Sequence, residues 1–522
     1  MASDAKDSHT ANIRFVRDTA TMNSLLRLLF VLPVSLLASS GILSVEAFSA
    51  AGDTTTTPPL KWLIVGGGPH GVHIATRLLE EVPAVSRSNL CIVDDEPQLL
   101  HKWKTRTAAT GMTYLRSSAS YHLDVREDSL RRYAEKKMDT STSPSSSGNI
   151  FAPDYKRPLL NFFNEHCDYV VQKNHLDEAH LQGMVIDIVP NEDHVQVQIR
   201  RPNGDVVEMC SENIVLALGS DAPEYPDWVD QETIRTGKVR HIFDDYDNGT
   251  RQFEQEDVNG DAGSCTSPRH RSIAVVGGGI SAGHLALKLA REATNCNNVN
   301  DVHTTVHVIC RHDLREQQFD THQDWMMDSY AAKRSEAGGG QGVPECQRHF
   351  ASLDSFVERR NIIQRERRAG TVSASVSRGK NGLRYAIQSE RIRWHKGDIN
   401  DMNEEEDGQL SLSLTSGKHV MVDEVILATG FGKRPPGSDL ISGIARQRKE
   451  LELCPCGYPA PDKSLRWHER IYLAGALAEL ELGPSARNIA GARLASERIV
   501  AAANTSKQTG KSVGVASTGA VV

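Results

Sequence analysis

Two short apolar runs in this chain each break on three consecutive glycines, and that repetition constrains the fold more than any other feature. Lys61-Trp62-Leu63-Ile64-Val65 runs into Gly66-Gly67-Gly68-Pro69-His70-Gly71, and Ile273-Ala274-Val275-Val276 runs into Gly277-Gly278-Gly279-Ile280-Ser281-Ala282. After the first turn, Val72, Ile74, Ala75, Leu78 and Leu79 fall at roughly helical spacing, and Leu90-Cys91-Ile92-Val93-Asp94 resumes as a strand. After the second, Leu285, Leu287 and Leu289 lead to the strand Val306-His307-Val308-Ile309-Cys310. Each stretch is therefore strand, tight turn, helix, strand.

Such a unit holds a dinucleotide through its turn. Gly66 permits the tight bend, Gly68 lets the backbone approach a pyrophosphate, and Gly71 lets the helix lie against the strand, with Pro69 and His70 opening the helix whose N-terminus faces the anion. An acid at the end of the second strand suits an adenosine ribose, and Asp94 stands there with Asp95 behind it. In the second unit Gly277, Gly279 and Ser281 repeat the pattern and Ala282 takes the third glycine's packing role. Its second strand ends in Cys310-Arg311-His312 with Arg315 nearby. A guanidinium at Arg311 suits a 2′-phosphate that a carboxylate would repel, which selects NADPH over NADH. Three more apolar strands end in glycine, at Gly219, Gly430 and Gly475, as return strands of such folds do. The expected class is α/β, with two Rossmann-like dinucleotide-binding domains, the first interrupted by the second.

Boundaries follow from composition. A presequence and linker are expected over 1–60 and the first part of one domain over 61–246. The inserted domain is expected over 271–422, the first domain's C-terminal part over 423–503 and a Gly/Ser/Thr-rich tail over 504–522. Alternating stretches at Val195–Val207 and Leu410–Val422 predict small antiparallel meanders. A final helix is predicted from about Ala486 to Ala503. A net charge of −8, from 59 basic against 67 acidic residues in 522, implies no field that would hold nucleic acid. The nine cysteines are odd in number and scattered, and Cys454-Pro455-Cys456 lacks the second pair of ligands a zinc site needs, so neither a disulfide framework nor a metal is expected. Near the N-terminus, Arg27 precedes the apolar run Leu28 to Ala38, and Val45 and Ala47 suit cleavage before Phe48. The junction Glu46-Ala47-Phe48 resembles plastid-targeting presequences of diatoms and related algae. A plastid address is expected, with an ER or secreted destination or a membrane anchor as alternatives.

Two dinucleotide units in one chain suggest hydride passing from a nicotinamide to a flavin. Ile92 to His166 contains no cysteine, which argues against the disulfide-reductase branch of such proteins. With the Gly-x-Gly-x-Ser-Ala form at Gly277–Ala282, Ala428-Thr429-Gly430-Phe431 and the stretch Leu482 to Gly491, the chain resembles the FAD- and NADPH-dependent class B flavoprotein monooxygenases over about Lys61 to Ala503. Within them it is nearest to the ornithine/lysine N-hydroxylases and the FAD/NAD(P)-binding proteins grouped with them. The resemblance implies FAD on the first unit, NADPH on the second, and oxygen transfer through a flavin C4a-hydroperoxide to a small amine or amino acid. It places Asn488 at a helix start against the flavin ring. It also places Trp103 to Asp124, with Met112, Arg116, His122 and Asp124, along the isoalloxazine and substrate. Lys104 and Arg106 become candidates for a substrate carboxylate, and Glu479 and Glu481 for a substrate amine or a helix cap. Between the two units the family's fingerprint is kept at Gly237 and His241, but Arg235 replaces its first aromatic, Ile242 its serine, and Tyr246 comes one residue late. These departures keep two alternatives open: a flavin- or quinone-type NADPH oxidoreductase without oxygen insertion, and a non-catalytic flavin-bound regulator. A homo-oligomer also stays open.

Overall fold

A computed structural model of the chain describes residues 59–140, 149–244, 270–294, 303–326 and 343–509. The expected presequence up to residue 58, Tyr246, and most of the polar stretches at 138–148 and 247–271 lie outside the described residues, as does the tail beyond 509. No helix among the described residues is long and apolar enough to cross a membrane.

The first sheet is built on parallel strands. β1 (Leu60–Val65) lies between β2 (Leu90–Asp94) and β6 (Val206–Leu216), β2 continues to β3 (His180–Gln182), and β6 continues to β16 (Ile471–Leu473). Leu63, Ile64, Ile92, Ile214, Val215, Leu216 and Leu473 are at most 1% exposed, because helices cover both faces of a parallel sheet and every side chain is inside. β15 (Arg466–His468) adds an antiparallel edge. The meander expected at 195–207 forms as β4 (Met184–Pro190) and β5 (Val195–Arg200), pairing antiparallel into the start of β6. The helix Pro69–Glu81 follows β1 and packs against the long C-terminal helix Ile489–Thr509.

The second sheet is wholly parallel, in the order β10 (Ile392–Lys396), β9 (His303–Cys310), β8 (His270–Val276), β14 (Glu424–Leu427), β7 (Val239–His241). The helix Ile280–Thr294 follows β8. The second meander, β11 (Ile399–Glu404), β12 (Leu410–Leu414) and β13 (His419–Val422), forms a separate antiparallel sheet whose Leu410, Leu412 and Val422 pack with Ala274, Val425 and Leu427 of the parallel one.

Two boundaries shift. β7 lies inside the span expected for the first unit and β14 inside the span expected for its C-terminal part, yet both hydrogen-bond into the second sheet. The reason is steric: Gly277 bends directly against the carbonyl of Ala428, as Gly66 bends against that of Ala217, so each glycine turn needs its own return strand beside it. The C-terminal helix starts at Ile489, after a 3-10 turn at Pro484–Arg487, and runs on to Thr509, past the expected end at Ala503.

Candidate cofactor and active site

The first turn has the shape of a pyrophosphate cradle. Gly66 has φ +114°, and a side chain there would strike the Ala217 carbonyl. A side chain on Gly71 would strike the Gly66 carbonyl oxygen, so this glycine sets how closely helix and strand pack. Gly68 differs, for its backbone is extended (φ −75°, ψ −173°) and no atom lies within 4 Å of where a Cβ would sit. That open space faces the start of the helix Pro69–Glu81, which has no side-chain cap and no acid in its first turn, so its leading amides are left for an anion. The residues fit the diphosphate of FAD. The expected test of this division is a pair of variants. Gly71→Val should cost about 3 kcal/mol of stability, the upper end of overpacking. Gly68→Val should keep its denaturation midpoint yet purify without flavin absorbance. Equal melting of the two would refute the assignment.

Asp94 closes the turn from the other side. Its carboxylate accepts hydrogen bonds from the Gly67 amide and from the Glu96 amide at 2.9 Å, and burial pushes its pKa up. Asp95 is exposed beside Lys102, whereas Glu96, which sequence reading passed over, is 6% exposed and paired with Lys102 at 2.9 Å. His70 packs against Gly475 (φ +62°). Neither ring nitrogen makes a hydrogen bond of good geometry, and burial lowers its pKa to about 4, partly offset by the backbone of Arg487 and Asn488 beside the ring. A buried imidazole held this weakly, in the first turn of this helix, offers a polar contact to a bound group.

The second turn repeats the geometry. Gly277 (φ +143°) leans on Ala428, and a side chain on Gly278 would strike Cys310 Sγ. Gly279 is open apart from Gly370, whose backbone lies 3.9 Å from where a Cβ would sit, and Ala282 is 1% exposed against the sheet. Gly370 (φ +70°), also in contact with His312, brings a second backbone segment to this cradle, and nothing in the periodicity around it signalled that. Arg311 is exposed at the end of β9, where the ribose end of a nucleotide would lie. Gly219 (φ +75°) and Gly430 (φ +95°) end their strands with open space around them. Beyond them the two chain crossings pair, through Gly432 N–H to Ala222 O at 2.9 Å and Glu224 N–H to Gly430 O at 3.1 Å.

The wall shared by the two units comes from three segments: 112–124, 317–326 and 483–490. Tyr121 Oη donates to Met326 O at 2.9 Å and Ser485 Oγ to Trp325 O at 2.6 Å. Phe319, Met326 and Ala490 form a small apolar cluster against Tyr121. Asn488 caps the C-terminal helix, its Oδ1 accepting from Gly491 N–H at 3.2 Å. The Gln318 side-chain nitrogen is buried without a partner among the described residues, a polar handle that sequence reading missed.

Arg116 lies in this wall, but its guanidinium donates to Gln318 O at 2.7 Å, Gln317 O at 2.8 Å and Thr371 Oγ1 at 3.0 Å. It is a brace between the units, its Nε and Nη2 taken up by the protein. His122 is 0% exposed, with Nε2 against Glu127 O at 3.0 Å and Nδ1 accepting from Asp124 N–H at 3.3 Å, and burial lowers its pKa to about 3. Both nitrogens serve the backbone of its own loop, so a catalytic role would require that loop to unfold. Trp103 Nε1 donates to Asn164 at 3.0 Å and Lys104 pairs with Asp168 at 2.5 Å, while Met112 packs on the first core. Glu479 and Glu481 are also engaged. Glu479 is 0% exposed among Arg360, Arg367 and Arg487, and Glu481 pairs with Arg359 and Arg498.

Around the broken fingerprint the structure supplies its own aromatic. Phe243 stacks on Phe431 (5.4 Å, 6°) and tilts against His241, and Arg106 lies over both phenylalanines at 5.7 and 5.1 Å. Arg235, where the family's first aromatic is missing, is exposed and paired with Glu232 at 2.6 Å.

The comparisons agree with this geometry. The FAD-NAD(P)-binding family matches at residues 63–221 and again at 274–432, together more than half of the chain. The L-lysine 6-monooxygenase/L-ornithine 5-monooxygenase family matches residues 156–323. Among solved structures, the ornithine hydroxylase PvdA from Pseudomonas aeruginosa is 17% identical with a TM-score of 0.59, covering 86% of this chain and 99% of its own. The FAD-bound cadaverine monooxygenase DfoA of the desferrioxamine pathway from Erwinia amylovora is 14% identical with a TM-score of 0.59, covering 86% and 95%. No curated protein sequence matches. With one glycine cradle at Gly66–Gly71, a second at Gly277–Ala282, and the family's match laid over each, this chain belongs to the FAD-NAD(P)-binding family.

Proposed function

We propose that the protein is an FAD- and NADPH-dependent monooxygenase that hydroxylates a small amine or amino acid. The observation that carries this is the pair of complete dinucleotide cradles sharing one wall. None of that wall's three segments contains a cysteine, and the nearest packed thiols, Cys454 and Cys346, sit in the apolar cluster behind Trp325. The match of residues 156–323 to the lysine/ornithine monooxygenases supports the amine, as do the ornithine and cadaverine named for PvdA and DfoA.

Bound FAD would supply the redox chemistry, taking a hydride equivalent from NADPH and passing electrons to oxygen. The residues of the chain bind, orient and exclude water. Amides at Gly68 and the helix start would hold the first pyrophosphate, and Asp94 would take the ribose. Gly279 and Gly370 would flank the second pyrophosphate. Amides at the start of the Ile489–Thr509 helix would lend a bound flavin ring the positive end of a helix dipole. Phe319, Met326 and Ala490 keep the wall apolar. The reading is tested by NADPH oxidation in air, which should rise when an amine such as ornithine, lysine or cadaverine is added. Rates that respond to a quinone and to no amine would favour the reductase reading. Arg311→Glu should raise the KM for NADPH about tenfold or more, the worth of a charge-assisted hydrogen bond, and leave that for NADH little changed. Equal effects on both would remove Arg311 from the site.

A further inference from the structure

A second site lies far from both glycine turns, where the second unit's parallel sheet meets the three-stranded β11–β13 sheet. A cavity of about 580 Å³ opens there, near the start of β8 and along the edge strand β10. Its charged and ionisable lining is Arg393, Lys418, His270, His307, His395 and His419, and no carboxylate lines it. Behind these lies a built polar chain. Ser272 Oγ is 3.1 Å from His307 Nε2, and His307 Nδ1 is 2.9 Å from His395 Nε2, with the two imidazoles stacked in parallel at 5.1 Å and 7°. Both rings are 6% exposed.

The electrostatics around that pair have one sign. Burial lowers both histidines to about 4, and the groups that push them further are His395, Arg393, Lys418 and His270 for His307, and Lys418 and Arg393 for His395. No acid offsets these cations at either ring. The carboxylate of Asp423, at the start of β14, is taken up by the Ser272 amide at 2.6 Å and by Gln409 at 3.0 Å. A cleft that gathers cations and imidazoles without a counter-charge is complementary to an anion. Its volume falls within the roughly 300–1,000 Å³ of small-molecule sites. A guanidinium and an ammonium beside the buried His395 Nδ1, which has no partner among the described residues, suit a tetrahedral, multiply charged oxyanion better than a planar carboxylate.

We propose that this cleft binds a phosphate-bearing small molecule, at a site separate from the two dinucleotide cradles. The probe is inorganic pyrophosphate, titrated calorimetrically at pH 7 into FAD-loaded protein saturated with NADP⁺, so that both cradles are already filled. The expected result is saturable binding of one equivalent, weakened at least tenfold in the double variant Arg393→Glu/Lys418→Glu, with NADPH oxidation unchanged. Both residues are exposed, so the variant should fold. Lys396→Glu, an exposed lysine of the same strand held by Asp313 at 2.7 Å, controls for net charge and should bind as the parent does. The proposal is overturned by absence of saturable binding, by binding that survives the double variant, or by an equal loss with Lys396→Glu.

Discussion

Glu479→Ala is expected to lower the protein's stability by about 3–5 kcal/mol, the cost of removing one partner from a buried ion network. Glu479 is fully buried, and its carboxylate accepts from Arg367 at 2.8 Å, from Arg487 at 2.8 and 3.1 Å, and from Arg360. Burial alone would raise its pKa. Hydrogen bonds and charge from Arg487, with Arg367 and Arg360, outweigh that and hold it at about 2. Without it, the three guanidiniums lose their shared carboxylate and are left with the Tyr458 ring 3.9 Å from Arg360, the Tyr458 hydroxyl 2.7 Å from Arg487 and the Pro484 carbonyl 3.4 Å from Arg367. The network also joins the Phe356–Glu366 helix to the 479–487 turn beside the shared wall, so flavin affinity should fall with stability. Urea denaturation of Glu479→Ala, with Glu479→Asp as partial rescue, measures this. An unchanged midpoint would show that the arginines do not depend on the carboxylate.

The second large effect is acid sensitivity. Burial lowers His122 to about 3 and His166 and His284 to about 4, against an ordinary 6.5. The unfolded chain therefore binds more protons than the folded one once the pH drops below about 6.5, and stability falls with pH until the folded values are reached. Each such group loses on the order of 2 kcal/mol between pH 7 and pH 5. Three of them rival a typical total of roughly 5–15 kcal/mol. His241, His307 and His395, also near 4, act in the same direction. Glu479 adds nothing in this window, since its contribution is lost only as the pH falls from 4.5 through about 2. Thermal midpoints should drop steeply from pH 7 to pH 5, and a flat profile would mean these imidazoles titrate normally.

What sequence revealed and what it hid divide by range of interaction. The two glycine turns were legible because their chemistry is local: an extended strand, a bend only glycine allows, and a helix start within six residues. Both meanders were legible from alternation. β7 and β14 were misplaced because strands of three and four residues do not say which sheet they join. Only the approach of Gly277 to Ala428, 151 residues away, decides it. Arg116 carried the right charge in the right segment, but its partners are carbonyls about 200 residues further on. His122 looked reactive in sequence, where burial is invisible. Phe243 went unnoticed because a fixed spacing pointed past it to 245 and 246, while contact with Phe431 depends on how the crossings between the units fold.

The central claim is that electrons from NADPH end in a hydroxylated small amine. It is tested most directly by supplying purified, FAD-loaded protein with NADPH, ¹⁸O-labelled oxygen and a panel of amines, and following label by mass spectrometry. The account predicts one labelled oxygen atom in the product of at least one amine, formed in proportion to NADPH consumed. NADPH oxidation that yields only hydrogen peroxide or a reduced quinone, with no labelled amine, would contradict it.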